Sequence, residues 1–205
     1  MQFTVVVPKG QKPPTDNSRV PDFQPNSVKA TRLGAKTTRY ITMYEKPSTK
    51  GGKNPFLYIN GRKFQDPATE KPKAGKSEVW EVINLTKENR PLHIHLATFQ
   101  AIKVVKLVSN VTDFKACMLK GKDGNATACK VNKFVSREEV AIPNYQKAWK
   151  NTVNIEAGCQ TTVVVKFPDG NKPSLKNIKA EPGYVYHFNV LDGENNAMMR
   201  PLKLV

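Results

Sequence analysis

Short apolar runs of strand character recur along this chain, separated by turn residues and polar loops. The first clear run is Arg39-Tyr40-Ile41-Thr42-Met43-Tyr44. Phe56-Leu57-Tyr58-Ile59 comes next and ends in Asn60-Gly61, a pair that tolerates positive φ and signals a hairpin. Ser77 to Asn84 is built on Val79, Trp80, Val82 and Ile83, and one long strand is predicted from Leu92 to Val108. Further strands are predicted at Val153 to Ile155, Thr161 to Phe167, Gly183 to Val190 and Pro201 to Val205. Helical turns are predicted at Asp113 to Met118 and at Ser136 to Val140. With 12 glycines, 15 prolines and abundant β-branched residues, the pattern implies an all-β Greek-key sandwich or barrel with long loops. No internal repeat is visible.

The N-terminal part reads differently. Phe3 to Val7 suits a short strand, but from Pro8 to about Lys36 the chain is rich in proline and lysine and has no apolar periodicity. Residues 1–38 are therefore expected to be a strand and arm, and 39–205 one domain, within the size of a single core. No apolar run reaches the length of a membrane-spanning helix. The start Met1-Gln2-Phe3-Thr4 lacks the charged-then-apolar layout of a signal peptide, so a soluble, already processed chain is expected.

Cysteines and sequons add a compartment. Cys117 and Cys129 flank a loop rich in Lys, Gly and Asn, which a disulfide would staple; the alternative is a pair of free thiols. Cys159 is left over and reads as a small buried residue. Sequons at Asn84, Asn110 and Asn125 together point to a secreted, extracellular or vacuolar glycoprotein. The net charge of +16 is spread over scattered lysines without a nucleic-acid recognition motif. It reads first as a solubilising surface, and second as a handle for polyanions such as cell-wall or sulfated polysaccharides.

Candidate chemistry rests on three histidines, all in two segments: Arg90-Pro91-Leu92-His93-Ile94-His95 and Tyr186-His187-Phe188-Asn189. On a strand His93 and His95 project from one face, as a pair of metal ligands would; edge histidines satisfied by loops are the plainer alternative. The stretch Glu78 to Thr86 followed by Arg90 to His95, and the ending Glu181-Pro182-Gly183-Tyr184-Val185-Tyr186-His187 with Met198-Met199-Arg200-Pro201-Leu202, resemble the C-terminal domain of multicopper oxidases. The likeness is to the plant bilirubin-oxidase-like, spore-coat-laccase type and covers nearly the whole chain. It implies a cupredoxin fold, and that the two preceding oxidase domains are missing from this chain.

The resemblance also implies ligand positions. The family's His-Pro-x-His-x-His has Arg90 in its first, type 1 copper place, while His93 and His95 keep the places of the trinuclear cluster. In the second motif His187 is kept, but Phe188 stands for the type 1 cysteine, Asn189 for a cluster histidine and Gly193 for a type 1 histidine; Met198 keeps the axial place. In the family His95 and His187 serve one copper and His93 another, with further imidazoles from the absent domains. A blue copper site needs two imidazoles, a thiolate and a weak thioether, and only the thioether remains. Glu194, Asn195 and Asn196 read as loop residues.

The expectation is thus a non-enzymatic, strongly cationic protein without a resident cofactor, binding a partner or polyanion and no specific nucleic acid. One alternative is a single copper or zinc ion at His93, His95 and His187 with weak oxidoreductase activity. The other is a piece of a longer oxidase-like chain, its function belonging to an assembly with the missing domains or with copies of itself.

Overall fold

Among the described residues, ten strands form where the sequence clusters β-branched and aromatic residues, and two sheets result. In the computed structural model, residues 6–12, 15, 32–46, 56–120, 125–169, 183–188 and 198–205 are described. The strands are β1 (Thr37–Lys46), β2 (Phe56–Ile59), β3 (Ser77–Asn84), β4 (Arg90–Ile94), β5 (Thr98–Leu107), β6 (Val135–Glu139), β7 (Thr152–Ile155), β8 (Cys159–Lys166), β9 (Tyr184–Phe188) and β10 (Met199–Leu202). A six-stranded sheet has the order β2-β1-β3-β8-β5-β6, and a four-stranded sheet the order β10-β9-β4-β7. Only β1 and β3 run parallel among the paired strands.

The two sheets face each other across the main core. Ile41, Met43, Trp80, Val82, Val163 and Val165 come from the larger sheet; Leu92, Ile94, Val153, Ile155, Tyr186 and Phe188 come from the smaller. Trp80 is fully buried, with its ring edge-on to Tyr186 at 5.3 Å between centroids. Its indole N–H donates to Glu78, which also receives two hydrogen bonds from Arg39. A second cluster sits on the other face of the larger sheet, where helix α1 (Thr112–Lys120) packs Phe114 and Met118 against Tyr44, Ile83 and Leu85.

Three sequence expectations need correction. The single strand from Leu92 to Val108 is two strands in different sheets, because the chain turns at Leu96 with φ +64°. Ser136 to Val140 is not helical: β6 adds to the edge of β5, where Lys103 meets Glu139 and Lys106 meets Glu138 across the pair. Asn60-Gly61 does make a turn with both residues at positive φ, but one bridge, Ile59 to Arg62, is all that follows it; β2 pairs back onto β1. At the N-terminus, residues 3–5 of the expected strand lie outside the described residues, and Val6 and Val7 are irregular. β1 begins at Thr37, two residues before the expected domain start.

Candidate metal centre

Alternation along β4 and β9 sorts the candidate residues onto two faces of the smaller sheet. In β4, Arg90, Leu92 and Ile94 are buried and face the core, while Pro91 and His93 are only partly buried and face outward. In β9, Tyr186 and Phe188 face the core and His187 faces outward. The ladder then pairs His93 with His187 and Leu92 with Phe188. His95 follows β4 on the same side, its backbone N–H donating to the Val185 carbonyl at 3.1 Å.

The three imidazoles converge on the outer face. Ring centroids are 5.2 Å apart for His93 and His95, 5.2 Å for His93 and His187, and 5.7 Å for His95 and His187. One nitrogen from each lies within 4.8 Å of the others. His93 Nδ1 is 2.7 Å from the Asn151 carbonyl and 3.2 Å from Thr152 Oγ1. A carbonyl only accepts, so Nδ1 carries a proton and Nε2 is the nitrogen left to face a ligand. His187 Nδ1 is buried without a hydrogen-bond partner among the described residues. Burial, and then the neighbouring His93, lower the pKa of both His95 and His187, with His95 adding to the effect on His187. Three close imidazoles are a donor set suited to copper or zinc.

The opposite face carries Arg90, Phe188 and Met198, three of the residues matched to the type 1 places. Phe188 is 1% exposed and packs in the main core. Met198 is 2% exposed in the same cluster, and its carbonyl accepts from the Phe188 N–H at 2.9 Å. Arg90 is buried diagonally from Phe188 on the core side, its guanidinium 3.1 Å from Glu88 and 3.8 Å from Glu45. Asn189 and Gly193, and with them Glu194, Asn195 and Asn196, lie outside the described residues.

Met198 therefore does not belong with the histidines as one ligand set; it lies across the sheet from them. The thioether on the histidine face is Met199, the cross-strand partner of His187, which the sequence reading did not consider. The same reading missed Thr152 and the Asn151 carbonyl, because the register of β7 against β4 leaves no signature in sequence. Asn84 is also corrected as a glycan acceptor. It is wholly buried, and its Nδ2 donates to the Glu88 and Ile155 carbonyls while its Oδ1 accepts from Thr86. It holds the turn that delivers β4. Asn110 and Asn125 are exposed. Cys117 and Cys129 are disulfide-bonded, and Cys159 is a buried free thiol on β8, in the other sheet.

Comparison with known proteins agrees with this architecture. A family profile described as multicopper oxidase matches residues 24–202. Multicopper oxidase LPR1 homolog 1 of Oryza sativa subsp. japonica is 49% identical over all of this chain and 34% of its own length. Multicopper oxidase LPR1 of Arabidopsis thaliana is 39% identical over 93% of this chain and 33% of its own length. The chain thus spans about a third of these relatives. Among solved structures, a multicopper oxidase from Campylobacter jejuni superposes with a TM-score of 0.52 at 22% identity, covering 83% of this chain and 30% of that one. This shows the shared cupredoxin-like fold.

Proposed function

The chain belongs to the multicopper oxidase family, and on that premise we propose that it is a cupredoxin domain whose blue-copper place is filled by protein, leaving three histidines as a site for one copper or zinc ion. The observation that carries this reading is the packing of Phe188. Its ring fills the core at the position matched to the thiolate, on the same face of the smaller sheet as the buried Arg90. An apolar ring and a fixed cation are poor company for a copper ion, and the free cysteine of the described residues, Cys159, sits on another sheet. Type 1 copper does not fit these residues.

The outer face does fit an ion. His93, His95 and His187 would hold it, and the unpartnered His187 Nδ1 is the kind of buried nitrogen that a ligand satisfies. A bound divalent ion would supply Lewis acidity at a solvent-facing position. His93 is oriented by Asn151 and Thr152. Without a thiolate bridging the two faces of the sheet, the domain has no built route for an electron from an external reductant to the histidines. Its role is binding, to metal and to other macromolecules, in place of substrate oxidation.

Oxygen uptake tests this. The copper-loaded chain, given ferrous iron, a phenol or bilirubin, is expected to consume oxygen no faster than the same copper bound to a histidine peptide. Sustained turnover above that level would overturn the reading.

A further inference from the structure

A second site lies away from the histidines, between α1 and the β1–β2 pair. A cleft of about 470 Å3 is lined there by Tyr44 and Lys46 of β1, Tyr58 of β2, Lys63 and Asp66 of the following loop, and Lys120 at the end of α1. Three ammonium groups face one carboxylate. Among the described residues none of the three lysines has an ion-pair partner, while Asp66 already accepts from the Lys63 N–H at 2.8 Å.

The cleft also has an aromatic floor. Tyr44 and Tyr58 are cross-strand partners with rings 6.1 Å apart and 21° from parallel. Tyr44 is 2% exposed and anchored by its hydroxyl to the Met118 carbonyl, so the half-buried Tyr58 offers the accessible ring. Two residues earlier on the same face of β2, Phe56 is 45% exposed and is the cross-strand partner of Lys46. Tyr58 and Phe56 thus share one face of the β1–β2 pair with Lys46, at the cleft that Lys63 and Lys120 also line.

We propose that this cleft binds an acidic polysaccharide, with sugar rings lying on Tyr58 and Phe56 and uronate carboxylates met by Lys46, Lys63 and Lys120. The Asp66 carboxylate is placed to accept from sugar hydroxyls. Stacking and charge alone would also suit single-stranded nucleic acid. The disulfide that ties α1 to the segment after it, Cys117 to Cys129, favours the sugar: such bonds persist in oxidising compartments, where acidic polysaccharides are the polyanions met. The site is independent of the histidine face, and either can fail alone.

The test is calorimetric titration of the full chain with a defined oligogalacturonate at low salt. The variant Lys46→Gln/Lys63→Gln/Lys120→Gln is compared with Lys103→Gln/Lys106→Gln/Lys166→Gln, which removes the same charge from β5 and β8, further across the sheet. The cleft variant is expected to bind about tenfold more weakly or worse, and the control within about twofold of the parent. Phe56→Ala, at an exposed position, is expected to weaken binding with no charge change. Equal losses in the two triple variants would reduce the interaction to general charge and overturn the proposal. So would an oligothymidylate of matched charge binding more tightly through the same lysines.

Discussion

His93 and His187 stand directly opposite each other in the β4–β9 ladder, with their ring centroids 5.2 Å apart. Two rigid strands therefore set this pair, and His95 reaches it from the end of β4. The strand pairing brings one nitrogen of each histidine within 4.8 Å of the others, which is the beginning of a preorganised site.

Zinc titration of the metal-free chain is expected to saturate at one ion per chain. His95→Ala or His187→Ala is expected to weaken uptake by about tenfold or more. Thr152→Val, which alters only the support of His93, should cost less, since partners behind a ligand tune rather than supply the bond. Unchanged affinity in His187→Ala would remove the site from the outer face.

Rebuilding the blue site tests the other face. Arg90→His, Phe188→Cys and Gly193→His return the two imidazoles and the thiolate of the family motif, with Met198 in its axial place. Copper addition is expected to turn this variant intensely blue, because that colour needs a short copper–thiolate bond. Truncating Phe188 destabilises the core, by about 3 to 5 kcal/mol for the harsher change to alanine, so thermal unfolding is recorded first. A folded variant that binds copper without the colour would show that these positions do not converge.

Removing the disulfide with Cys117→Ser/Cys129→Ser is expected to cost about 2 to 4 kcal/mol in chemical denaturation. The loss should fall on the α1 side. Exchange protection of amides in α1 is expected to drop before that of β3 and β8 in the main core.

Alkaline stability has a predictable window. Burial, and then Tyr58, push the Tyr44 phenol from 10.0 up to about 12. The folded state therefore holds the proton more tightly than the unfolded chain. That contribution is complete below pH 10 and is lost as pH rises from 10 towards about 12. Tyr44→Phe, which cannot ionise, should show a smaller fall in thermal midpoint across this interval; an identical fall would assign the loss to other groups.

Much of this was legible in the sequence, for identifiable reasons. Val79, Trp80 and Val82 mark β3, and Val163 and Val165 mark β8, because central strands must be apolar on both faces. The His-x-His spacing put His93 and His95 on one face, and the motif match brought in His187, which the ladder confirms as their neighbour. The break at Leu96 was hidden because a leucine at positive φ carries no sign in sequence, unlike the Gly or Asn usually found there. Ser136 to Glu139 misled because an edge strand with exposed charges has no alternation to read. The sequon at Asn84 looked like any other, since nothing local reveals that its amide is consumed by the turn before β4.

The type of copper site that forms distinguishes the histidine face from the core face, and electron paramagnetic resonance of the chain loaded with one equivalent of cupric ion reads it directly. The spectrum is expected to show wide hyperfine splitting, as three imidazoles and water impose on a pale copper site, and to be altered in His187→Ala. Narrow splitting with strong visible absorption, characteristic of copper on a thiolate, would contradict the claim that Phe188 and Arg90 have replaced the blue centre.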